Sequence, residues 1–351
     1  MPILSDYAAA EGLSLIDGIS LPILIERLRR DVQSHVDNPA RLFGLRTEMM
    51  FAYVAAALSN CRLITQVDSG LFFSRNRGVR RPDFRVVTEN DQFLVEVKNF
   101  HQSDPLAAFT ITPEYAASLR EYADMVNCRL MLAVFWSRWK IWTLVDAGHI
   151  PSNGTLDMGD ALKRSQMGLL GDCMISTVPP LSIRFAADPA KPRTLDKNGR
   201  VNFTIGGVDI CANGTIISDP LERKLAWFFM LYGQWSEVDQ PAEIADGKLE
   251  YFEITMNPPE PPSEQPFSSL GFLSQMVSRQ YIDLTSEGRN VKLLAPDRDP
   301  NDLGVLIPQD FKGETLKLWR FQMQPNLDDL NRIESSQQDA WTATNRPRGR
   351  G

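Results

Sequence analysis

The chain has 351 residues, 43% of them hydrophobic and 23% charged, which is enough for two globular units and close to the average for folded soluble domains. That composition excludes collagen-like, low-complexity and wholly disordered chains. The formal net charge of −7 excludes a protein that coats nucleic acid over its whole surface, so any phosphate-binding region has to be local.

The opening residues, Met1-Pro2-Ile3-Leu4-Ser5-Asp6, show no basic segment ahead of an apolar one. The longest apolar run, residues 130–136, is far shorter than the ~20 residues a membrane-spanning helix needs. A cytoplasmic protein with no membrane partner is the expectation. Residues 19–36 repeat apolar side chains at Ile25, Leu28 and Val32, with Arg27, Arg29 and Arg30 on other faces, which predicts a helix. Asn38-Pro39 opens a second helix to about Ser59. From Cys61 the period changes to that of a strand over 62–67, followed by an arginine-rich loop over 70–81. Strands are predicted at 84–88 and 92–97. Thr112-Pro113-Glu114 starts a helix to about Val126, and strands return at 129–135 and 140–145. A helix joining strands predicts a mixed α/β fold, with a central mixed sheet flanked by helices.

Beyond Gly154 the pattern differs. Asn198-Gly199 and Asn213-Gly214 sit among alternating runs at 201–205 and 208–210, which predicts a small antiparallel sheet. Asp219-Pro220 begins an apolar helix, 268–284 reads as another, and the proline-rich stretch 257–263 between them is a stiff loop or linker. Trp227, Phe228, Phe229, Tyr232 and Trp235 are read as core or partner interface in preference to a base-stacking platform. The helix at 268–284 with strand-like 291–294 and 304–307 faintly suggests a helix-plus-wing DNA reader. The chain is thus divided into residues 1–150, an α+β unit over 151–333 for substrate or protein partner, and a disordered arginine-containing tail over 334–351. Net charge is −1 in the first 150 residues and −6 in the remainder, so the acidic excess lies in the second half. Oligomeric state is left open, a homo-oligomer included.

Cys61, Cys128, Cys173 and Cys211 are scattered, and His35, His101 and His149 form no pair at a zinc spacing. Chemistry therefore rests on carboxylates and lysine. Metal-assisted phosphodiester hydrolysis uses oxygen ligands for a hard cation and a positive group near the phosphate, and Asp83, Glu96 and Lys98 are those residue types. Glu96 and Lys98, two apart on a strand, share a face, while Val95 and Val97 point to the core. A hairpin turning at Glu89-Asn90 sets Asp83 opposite Glu96, close enough for both carboxylates to reach one ion. Upstream, Glu48 stands alone in the apolar run 47–58, with Gly44, Leu45, Phe51 and Ala52 as helical neighbours. It belongs either to the metal site or to a cap or tertiary ion pair. Arg75, Arg77, Arg80 and Arg81 lead directly into Asp83 without an intervening acid, and are either a phosphate-binding loop or a solvated loop paired with the acidic second half.

Pro82-Asp83, a gap of twelve, then Glu96-Val97-Lys98, with Glu48 on an upstream helix, resembles the PD-(D/E)xK nuclease superfamily, which includes many restriction enzymes and Holliday-junction resolvases. The resemblance covers about residues 39–146. It implies that Asp83 and Glu96 bind Mg2+ or Mn2+ and that Glu48 completes the site, with the Val97 carbonyl as a further ligand. It also implies that Lys98 orients water or stabilises the transition state. The expected activity is a metal-dependent endonuclease on nucleic acid, DNA favoured, in phage defence, restriction or repair. The alternative is a nuclease-like scaffold or sensor subunit that binds nucleic acid or a protein partner and cuts only in a complex, or not at all.

Overall fold

The computed structural model describes residues 20–36, 38–67, 73–76, 78–104, 106–260, 262–288, 290–300, 307–308 and 310–326, together with Gly12 and Asp328. Arg77, most of the wing strand at 304–307 and the tail 334–351 lie outside the described residues. Helix α1 (Ser20–Val36) forms as its periodicity predicts and packs on α2 (Pro39–Ala57). Its apolar stripe does not face the core, however: Ile25 and Val32 are 58% and 59% exposed, and the helix buries Leu24 instead. Helix α2 starts where Asn38 accepts a hydrogen bond from the Arg41 amide, which satisfies one of the orphan donors of the first turn. It is buried on several sides through Phe51, Val54, Ala55 and Leu58.

The central sheet runs β1 (Cys61–Gln66), β2 (Phe84–Thr88), β3 (Gln92–Phe100), β5 (Arg129–Trp136), β6 (Ile141–Asp146), in that spatial order. Strands β3 and β5 are parallel and the other pairings antiparallel, so the sheet is mixed. The β3–β5 connection carries β4 (Phe109–Thr110) and then α3 (Pro113–Met125), whose cap is Thr112. A crossover of this kind is what a parallel pair requires. The β2–β3 hairpin follows the register expected from its turn, from Val87 opposite Gln92 to Phe84 opposite Val95. The ladder ends there, with Asp83 and Glu96 as the next residues on its two sides.

In the second half, β7 (Thr155–Leu156) pairs with β4, and α4 (Met158–Arg164) leads into β8 (Met174–Thr177). An antiparallel sheet follows, built from β9 (Leu181–Ala187), β10 (Ile205–Ala212), β11 (Thr215–Ile216), β12 (Ser236–Asp239), β13 (Ala242–Ala245) and β14 (Lys248–Asn257). Asn213 and Gly214 both take positive φ, 50° and 75°, in the two-residue turn between β10 and β11. Residues 201–204 lead from a tight turn closed between Asp196 and Arg200 into β10 without being part of that strand. Asp219 caps α5 (Pro220–Tyr232), which buries Phe228 and Phe229, and Trp235 is buried just beyond it.

The helix expected over 268–284 is corrected. Residues 268–272 are strand β15 (Ser268–Phe272), paired with β8, and α6 (Leu273–Thr285) starts only after them. Gly271 sets the break: at φ 112° it holds a conformation that side-chain-bearing residues avoid. Strand β18 (Leu318–Phe321) completes this small sheet on the other edge of β8. Directly after α6, β16 (Ser286–Glu287) and β17 (Asn290–Val291) pair, and the strand stops at Val291 instead of running over 291–294. Helix α6 buries Ser274, Met276, Val277, Ser278, Tyr281 and others around much of its circumference, so it has no free face to lay in a DNA groove. Packing continues across residue 150: Phe51, Trp142 and Leu144 belong to the same buried cluster as Phe229, Met276 and Tyr281. Among the described residues, no helix is long and apolar enough to cross a membrane.

Candidate active site

Strand β3 supplies the centre of the site. Its alternation places Val95 and Val97 in the main core and turns Glu96 and Lys98 to the other face. Glu96 is only 2% exposed, yet it is paired: its Oε1 accepts from Lys98 Nζ and from the Tyr115 hydroxyl. Lys98 Nζ also donates to the Tyr115 oxygen at 3.1 Å. Asp83, at the mouth of β2, accepts from the Val97 amide through Oδ2 at 2.7 Å, and its own carbonyl accepts from Val67 N at 2.9 Å. A strand residue directs its amide and carbonyl to the same neighbour, so the Val97 carbonyl also faces the Asp83 side. Glu48 projects from α2 and lines the same cleft as Asp83, Arg80, Arg81 and Tyr115. That cleft encloses ≈ 380 Å³.

The electrostatics tie these groups into one unit. Burial, and then the neighbouring Glu96 and Glu48 charges, push the Asp83 carboxyl up to about 7 against the pull of the Val97 amide and Lys98. Glu48 is raised as well, first by burial, with Glu96 adding to the rise and Lys98 opposing it. Burial alone would lower the Lys98 ammonium, but the Glu96 and Tyr115 oxygens outweigh it and hold the group above the ordinary lysine value. Tyr115 is raised by burial and by its bond to Glu96. Asp83 and Glu48, both held above their usual range with the Glu96 charge adding to each, are a concentration of negative charge that a cation would relieve.

As donors, these carboxylates and the adjacent carbonyl suit a hard divalent ion. Among the described residues, however, no group of three or more His, Cys, Asp or Glu side chains is gathered closely enough to hold a metal as it stands. Glu96 is engaged by Lys98 and Tyr115, and Asp83 by the Val97 amide. The donor set fits a metal in kind, with Lys98 seated against the carboxylate that the ion would share.

The structure therefore brings Asp83, Glu96, Lys98, Glu48 and the Val97 backbone together. Of the arginine loop it brings Arg80 and Arg81 into the cleft, whereas Arg75 is exposed and does not line it. Tyr115 went unread in the sequence. The available signal was the Thr112-Pro113 start: a helix following β3 begins near that strand's C-terminal end, where Lys98 lies, and Tyr115 stands in its first turn.

No family model matches the chain, and no curated protein matches it either. Among solved structures it is similar to Hjc of Archaeoglobus fulgidus, a Holliday junction resolvase. Identity is 14%, the match covers 32% of this chain and 86% of that one, and the TM-score is 0.25.

Proposed function

We propose that this protein is a divalent-metal-dependent nuclease that hydrolyses phosphodiester bonds of nucleic acid, with DNA the favoured substrate. The observation that carries the reading is the convergence of Asp83 and Glu48 on one open, arginine-lined cleft beside the Glu96–Lys98 pair. Asp83, Glu96, Glu48 and the Val97 carbonyl are the groups to hold Mg2+ or Mn2+. When bound, such an ion supplies Lewis-acid stabilisation of phosphate charge and a more acidic water. Lys98 contributes a fixed positive charge where the phosphate oxygens gain charge, and its pairing with Glu96 orients it. Arg80 and Arg81 offer forked donors to the backbone phosphates. Residues 1–150 would then carry the chemistry and 151–333 the choice of substrate or partner, in a setting such as phage defence, restriction or repair.

The test is a panel of plasmid, single-stranded DNA and RNA incubated with magnesium or manganese, beside Asp83→Ala and Lys98→Ala. Wild type should cleave, and each variant should lose at least about 100-fold in rate while still melting cooperatively. No cleavage by wild type with any cation would sink the proposal.

A second reading follows from the engagement of Glu96 by Lys98 and Tyr115. The site then awaits a partner, bound through the second half, before it can take up metal. Activity that appears only when a co-purified partner is added favours this reading, and activity of the isolated chain removes it.

A further inference from the structure

Three side chains meet on Tyr115. Its hydroxyl donates to Glu96 Oε1 and accepts from Lys98 Nζ, and its ring lies 4.8 Å from Lys98 Nζ and 4.9 Å from Arg80 Cζ. Two cations on one aromatic ring are each attracted by its electrons and repelled by one another. An anion in the cleft relieves that repulsion. The placement of Arg80 is also fixed by backbone: its amide donates to the Ser118 carbonyl at 3.0 Å. Asn76, earlier in the same loop, bonds the Glu121 carboxylate. Tyr115, Ser118 and Glu121 are spaced three apart on α3, so the basic loop lies along one stripe of that helix. The Arg80 guanidinium makes no ion pair with a described residue and lines the cleft.

We infer that Tyr115 is a positioning residue with two separable tasks: its ring holds Arg80 for a backbone phosphate of bound nucleic acid, and its hydroxyl holds the Glu96–Lys98 pair for chemistry. This rests on the nuclease reading above. The phenol thereby links substrate contact at the loop to the alignment of the reacting groups, a link that a merely structural tyrosine would not make.

The two tasks come apart in variants. Binding of a fluorescein-labelled duplex oligonucleotide in EDTA, read by anisotropy, is compared with plasmid cleavage in magnesium. Tyr115→Phe keeps the ring and should bind as wild type does, while its turnover falls about tenfold. Tyr115→Leu should in addition lose about tenfold in affinity, and Arg80→Ala should reproduce that affinity loss. The Arg80→Ala/Tyr115→Leu double variant should bind no worse than Arg80→Ala alone, since the two residues act through one contact. Arg80 sits on an exposed loop, so its variant reports even if Tyr115→Leu fails to fold. Wild-type turnover in Tyr115→Phe, or additive affinity losses in the double variant, overturns the inference. Intact binding differences without any wild-type cleavage defeat the nuclease reading and the hydroxyl's task but leave the ring's. No oligonucleotide binding by wild type overturns both.

Discussion

Asp172 is buried, and its two carboxylate oxygens receive hydrogen bonds from Ser274 N at 2.9 Å and Ser274 Oγ at 2.6 Å. It thus serves the N-terminus of α6, whose cap residue Phe272 has no side chain able to do so. Burial pushes its carboxyl from 3.8 up to about 6, against the opposing effect of those hydrogen bonds. The sign follows from linkage. The folded state binds a proton that the unfolded chain has already released, so this contribution to stability is full below 3.8 and is lost as pH rises through about 6. Asp172→Asn keeps an acceptor for the Ser274 amide and removes the titration. Urea midpoints across that range should slope downward for wild type and less steeply for the variant, where the raised Asp83 and Glu48 still contribute; an unchanged slope would assign the effect elsewhere. Asp83, Glu96, Lys98 and Glu48 were legible in the sequence because residue type and short spacing, or isolation in an apolar helix, mark them. Asp172 and Tyr115 were not, because their meaning comes from partners that no local pattern names. Ser274 is 102 positions from Asp172.

Among elements, the longer strands and helices of the first half follow from period and capping residues, as does the register of the β2–β3 hairpin, whereas the two-residue β4 was not foreseen. Failures cluster where a tertiary neighbour overrides the local pattern. Residues 268–272 have a composition that a helix would accept, but β8 offers an unpaired edge and Gly271 supplies the backbone bend. The apolar side of α1 was visible, yet periodicity states only that a stripe exists and not what covers it. The loop before β18 shows the reverse case, an irregular segment held by a helix. Glu222 in the first turn of α5 accepts the amides of Glu314, Thr315 and Leu316 at 2.6, 3.1 and 2.8 Å. Glu222→Ala would leave these donors without their acceptor and should destabilise the fold by on the order of 3 kcal/mol, measured as a shift in the urea midpoint. A shift within experimental scatter would mean that water replaces the carboxylate and that the loop is held by other contacts.

Over the whole molecule, the change of pattern near Gly154 suggested two units, and the sequence could not reveal how their apolar faces meet. Trp142 Nε1 donates to Ser278 Oγ at 2.9 Å inside the core. Arg46 reaches Thr285 Oγ1 at 3.2 Å and Ser286 Oγ at 2.7 Å, and the Tyr53 and Tyr281 rings lie 5.4 Å apart. A fragment of residues 1–150 therefore lacks the cover for Phe51, Trp142 and Leu144. Expressed alone it should be insoluble or lack cooperative melting, and recovery should require the complementary fragment. A soluble, cooperatively melting fragment that cleaves DNA would show that this cover is dispensable.

The same contact to Ser278 bears on how such a protein can change over generations. Two halves joined only by a linker can be shuffled freely between proteins. Here the indole of one half is hydrogen-bonded within the other, and Arg46, two residues from Glu48 on α2, is fastened to the end of α6. Recombination at the midpoint would break a shared interior, so a replacement for either half would have to fit the surface of α6 that both halves pack against.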